Sequence, residues 1–122
     1  MEIYYQGEDI PFQIELFEDS GGSKKINIDS LSNLIVYMFT DGASVIKMSK
    51  VAKNGYLTLL RKDEYKYSCI VDSSLTKLLA EGVLFIEVNI INSSPDLQDG
   101  KINRLQKHPI GRIQKTLIKI ES

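Results

Sequence analysis

Tryptophan is absent from this chain, and cysteine and histidine occur once each, as Cys69 and His108. One cysteine cannot close an internal disulfide, so oxidative cross-linking has no part in holding the fold. One histidine cannot assemble a multi-histidine metal site, and neither CxxC nor HExxH spacing occurs. An excess of one charge is also missing: 15 Lys+Arg against 16 Asp+Glu give a formal net charge of -1. Nucleic-acid binders usually carry a basic excess to meet phosphate, so that partner class is not expected. The longest apolar run, Val83–Ile91, is interrupted by Glu87 and Asn89. It falls far short of the roughly 20 residues a membrane helix needs, so no membrane partner is expected. The opening MEIYYQGEDIPF has neither a basic nor an apolar leader segment. It does not read as a secretory signal, and the chain is expected to act where it is made or in an assembly built there.

What remains is ordinary globular composition: 122 residues, 43% hydrophobic and 25% charged. That suits one domain, 1–122, with its own core. Near-zero net charge gives little colloidal repulsion, so self-association is expected. The dominant pattern is alternation of period two between turn residues, the signature of short strands. Strands are expected at Glu2–Gln6 and Ile10–Glu18, the second with Phe12, Ile14 and Leu16 inward and Pro11 near its start. Lys24–Ile28 reads as a short return strand after the Ser20–Ser23 turn. Leu34–Thr40, LIVYMFT, is nearly all apolar, as in a central strand covered on both faces or one lying at an assembly interface. Ser44–Val51 follows with Ile46 and Met48 inward, and Asn54-Gly55 reads as a type I′ hairpin turn. Tyr65–Val71 alternates, placing Tyr65, Tyr67, Cys69 and Val71 on one face.

One segment breaks the period. Leu75, Leu78 and Leu79 have i, i+3, i+4 spacing, Ser73 or Ser74 offers a cap, and Gly82 a stop, so a short helix is expected near residues 74–81. Val83–Ile91 then returns to strand, Asn92–Lys101 reads as a polar loop, and Ile102–Lys107 and Ile113–Ile120 as final strands split by a turn at His108–Gly111. Many short, evenly spaced strands point to a mainly all-β fold, a sandwich.

Reactive groups have plain explanations. His108 before Pro109 reads as a turn residue, and Cys69 among core-facing tyrosines as a buried thiol. Asp96-Leu97-Gln98-Asp99-Gly100 lacks the alternating ligands and closing Glu of a calcium loop. Gly21-Gly22 lacks the lysine of a phosphate loop. Lys101, Arg104, Lys107, Arg112, Lys115 and Lys119 are spread through late strands and read as a solvated side that discourages edge pairing. No nucleophile–base pair is recognisable, so no catalytic residue, cofactor or metal is assigned and an enzyme is not expected. Six tyrosines leave a sugar-stacking adhesion module of a gut bacterium as the alternative reading.

The passage Tyr5-Gln6-Gly7-Glu8-Asp9-Ile10-Pro11-Phe12-Gln13-Ile14 resembles the start of immunoglobulin-like β-sandwich domains in tailed-phage virion proteins. Ile28-Asp29-Ser30-Leu31 and Leu75–Leu79 followed by Glu81-Gly82-Val83-Leu84 are similar to later elements of such domains. The N-terminal domain of the phage baseplate upper protein and small structural proteins of Bacteroides and crAss-like phages belong to that group. The resemblance implies an immunoglobulin-like antiparallel sandwich in a virion ring, collar, tail, baseplate or capsid-associated part. It implies contact with other virion proteins and with further copies of itself. The helix-like segment and the lack of a following coiled coil or receptor-binding module depart from the baseplate protein. Expected contact residues are Ile3 and Tyr5 on the first strand, Leu34, Val36 and Met38 on the apolar strand, and Asp96 and Leu97 in the polar loop.

Overall fold

The computed structural model describes residues 2–17, 24–41, 44–92, 101–104 and 108–114. Among them, strands form one sheet of seven and one of three. The large sheet runs β1 (Glu2–Tyr5), β10 (His108–Gln114), β8 (Gly82–Asn92), β3 (Asn33–Thr40), β4 (Val45–Ser49), β5 (Leu57–Thr58). In it β9 (Lys101–Arg104) pairs with β8 beyond the reach of β10. The small sheet runs β2 (Ile10–Glu15), β7 (Lys66–Val71), β6 (Leu60–Asp63). The three-stranded order opposite the order β10-β8-β3-β4 is the immunoglobulin arrangement, with β2, β7 and β6 as strands B, E and D. The protein is an immunoglobulin-like β-sandwich.

Alternation explains the layers. In β2, Ile10, Phe12 and Ile14 are buried while Pro11 and Gln13 face solvent. In β7, Tyr67, Cys69 and Val71 point to the same side. Opposite them, Leu34, Val36 and Met38 of β3 and Leu84, Val88 and Ile90 of β8 complete one core. Pro11 lies on an edge strand, where a missing amide donor is tolerated.

Several expectations need correction. Pairing is not wholly antiparallel, since β1 runs parallel to β10 and β5 parallel to β4. Asn54-Gly55 therefore makes no hairpin. Gly55 has φ of 84° and no described non-glycine residue, Asn54 included, has positive φ, so the turn closed by Tyr56 N–H on Lys53 O lacks the two positive φ values of type I′. The helix α1 is only Ser73–Thr76, with Asp72 at its N-cap position rather than a serine. Leu79 is buried but Leu78 is exposed, so the leucines do not share one buried stripe. His108–Gly111 is strand, not a turn, with a register shift between Pro109 and Gly111. Residues 24–28 give only a bridge, Phe17 to Lys25, before a 3-10 turn at Ile28–Ser30. The Ser20–Ser23 turn and most of the polar loop lie outside the described residues.

Candidate interaction surface

The densest polar cluster is structural in its geometry. Asp29, on the 3-10 turn, accepts from Arg61 Nε at 3.1 and 2.9 Å and from the Tyr67 hydroxyl at 2.6 Å. The hydrogen bond from Tyr67, then that from Arg61, holds the Asp29 carboxyl below its ordinary range. Burial, then Asp29, pushes the Tyr67 hydroxyl up to about 12. Lys50 Nζ donates to the carbonyls of Ile28, Asp29 and Leu31 at 2.9, 3.1 and 2.7 Å, capping the same turn. Every one of these groups is used to tie the β2–β3 connection to the small sheet and to β4.

Other reactive groups lie apart from this cluster. Glu15 pairs with Lys25 at 3.4 Å and Lys66 at 3.2 Å. Cys69 is buried, and burial pushes its thiol up, away from the thiolate a nucleophile needs. His108 is exposed on β10, opposite Ile86. Among the described residues no group of three or more His, Cys, Asp or Glu is placed to hold a metal ion.

The expected contact residues divide three ways. Ile3 is exposed on β1, an edge of the large sheet, and Tyr5 is half-buried beside it. Leu34, Val36 and Met38 are fully buried between the sheets in a central strand, so they build the core and cannot meet a partner. Asp96 and Leu97 lie outside the described residues.

Between those core positions Tyr37 and Phe39, half-buried, lie on the outer face of the large sheet, flanked by Val45 and Lys47 of β4 and by Phe85 and Glu87 of β8, while Ile35 and its register partner Asn89 are buried. A shallow depression of about 360 Å³ is lined by Tyr37, Phe39, Val45, Lys47 and Glu87. The expected contact residues Leu34, Val36 and Met38 take the buried parity of β3; LIVYMFT is apolar at both parities, so the sequence alone does not say which one the core uses. The small sheet also carries exposed apolar groups, Leu60 and Ile70, the latter opposite Pro11.

Two tyrosines are partly occupied. Tyr56 has Lys53 Nζ at 4.8 Å and Lys47 Nζ at 5.5 Å from its ring centre, and Tyr65 has Lys25 Nζ at 5.9 Å. Among the described residues no helix is long and apolar enough to cross a membrane. No family model, curated protein or solved structure matches the chain.

Proposed function

We propose that this chain is a non-enzymatic structural component of a phage virion, in a ring, collar, tail, baseplate or capsid-associated position. It acts by holding other virion proteins and further copies of itself. The observation that carries this reading is the pattern of surface apolar groups on so small a domain. Val45, Leu60, Ile70 and Ile3 are exposed on both sheet faces and on one edge strand, while the charged clusters knit the loops. Exposed apolar groups grouped on a face mark contact surfaces, and an edge strand can pair with a partner's strand. The resemblance of the Tyr5–Ile14 passage to virion sandwich domains supplies the setting. The sugar-binding alternative is disfavoured, because lysine ammonium groups already lie over the Tyr56 and Tyr65 rings.

The test is mass spectrometry and antibody labelling of density-purified virions from the phage encoding the chain. The expected result is the chain in purified particles at fixed copy number relative to the major capsid protein. A chain found only in the lysate and absent from purified particles sinks the reading.

A further inference from the structure

The outer face of the large sheet is self-complementary. Strand register places side chains there in rows across β4, β3 and β8. One row is Lys47, Tyr37, Glu87, and the next is Val45, Phe39, Phe85. Adjacent strands are about 4.8 Å apart, so in each row the flanking residues lie at equal distances on either side of β3. The Phe39 and Phe85 rings are 6.0 Å apart and make an apolar end to the patch. The Tyr37 row carries opposite charges at its two ends.

A two-fold axis in the plane of an interface converts a face into its own partner. Laid parallel to β3 and above Tyr37, the axis carries the β4 side of one copy onto the β8 side of the other. Lys47 then faces the second copy's Glu87, and Glu87 faces its Lys47. In the neighbouring row Val45 faces Phe85, with Phe39 on the axis. Apolar meets apolar and cation meets anion throughout both rows. The perpendicular in-plane axis sets Lys47 against Lys47 and Glu87 against Glu87, so charge selects one axis of the two. Sheets that pack face to face keep their strands within about 30° of alignment, which this axis direction gives. Tyr37 and Phe39 are half-buried and Val45 is 47% exposed, so the patch retains apolar area to bury.

We infer that this face is a homodimer interface, formed with a second copy of this chain about a two-fold axis parallel to β3. The inference does not rest on the virion reading: a dimer in solution from a chain absent from virions would leave it standing.

Sedimentation equilibrium at concentrations up to roughly 1 mM tests it, a range that shows even millimolar affinity. The wild-type chain is expected to dimerise. Lys47→Glu and Glu87→Lys are each expected to weaken association by about tenfold or more, because each sets like charges face to face at two symmetric places. The double variant, with the charges exchanged, is expected to regain wild-type association. Thermal melts of all three check that the fold survives. A second measurement uses wild-type protein mixed from isotopically light and heavy copies and treated with a zero-length carbodiimide. It is expected to give a Lys47–Glu87 cross-link joining light to heavy chains. A monomer throughout the range overturns the inference. So does a dimer indifferent to both single variants and lacking the cross-link, which would place the dimer contact elsewhere on the chain.

Discussion

Asp29 shows how one side chain fixes the relation between distant segments. Its carboxylate gathers Arg61, 32 residues away, and Tyr67, 38 residues away, onto a single turn of 3-10 helix. The motif containing Asp29 was visible in the sequence, but its two partners were not, because nothing local links residues so separated. The cluster makes stability pH-dependent on both sides. Asp29 has a lowered folded pKa, so its contribution is present above the ordinary carboxylate value, about 3.9, and is lost as pH falls through the folded value. Tyr67 has a raised one, so its contribution is complete below 10.0 and is lost as pH rises toward about 12. Tyr67→Phe removes the hydroxyl and keeps the ring. The expected cost near neutral pH is about 1 kcal/mol. In melts followed across pH, the variant should lose part of the alkaline decline. Its acid decline should be smaller, because Asp29 loses the donor that lowers its pKa most and its folded value moves toward the unfolded one. An alkaline limb identical to wild type would show that Tyr67 does not titrate as described.

At the scale of elements, strands were legible where one face is buried and the other wet. Alternation in β2 and β7 reads directly as the buried and exposed sides of the small sheet. Three elements were misread for separable reasons. The leucine spacing after Ser73 suggested a longer helix, yet the chain turns after Thr76, whose hydroxyl donates to Glu8 O at 2.8 Å while Gln6 Nε2 donates to Leu79 O at 2.7 Å. Those bonds fasten the segment to the turn between β1 and β2, a tertiary constraint that spacing cannot express. Asn54-Gly55 signals a turn correctly but not which strands it joins. Pro109 and Gly111 looked like loop punctuation because proline and glycine usually interrupt strands. Here the proline lies at a register shift, where a lost donor is tolerated. The glycine is required by β1, since a Cβ at Gly111 would stand 2.8 Å from Tyr4 Cε2 and 2.9 Å from the Glu2 carbonyl oxygen. The tyrosine ring can swing but the carbonyl cannot without moving the strand. Gly111→Ala is therefore expected to push β1 away from β10, costing about 1–3 kcal/mol. Amide exchange should quicken at Tyr4 and Gln6 while β3 and β8 keep their protection. Unchanged protection along β1 would mean that the strand absorbs the methyl group without parting.

At the scale of the molecule, the two sheets are one cooperative unit because they share a core and the chain weaves between them. It passes from the large sheet to the small one at residues 6–9, returns through the 3-10 turn before β3, crosses again at Leu59, and returns through α1. Leu59 is buried and its amide donates to Ser49 O at 2.8 Å, so the crossing itself is packed. The core joins Phe12, Cys69 and Val71 of the small sheet to Met38, Leu84 and Val88 of the large one. The inner face of the small sheet is buried by side chains of the large one, so the small sheet depends on residues it does not contain. Leu84 is the sharpest probe of this dependence. It is fully buried, and its strand lies between β10 and β3, with Gly111 and Thr40 as its register partners. Leu84→Ala removes buried methyl groups and leaves a cavity, at an expected cost of about 3–5 kcal/mol. That is a large share of the roughly 5–15 kcal/mol that holds a domain folded. If the sandwich unfolds as a unit, the slowest-exchanging amides of β7 and of β3 should lose protection by the same factor, although the substitution lies in the large sheet alone. The denaturant midpoint should fall with an unchanged slope. Wild-type protection persisting in β7 after Leu84→Ala would show that the small sheet is held by something other than the shared core.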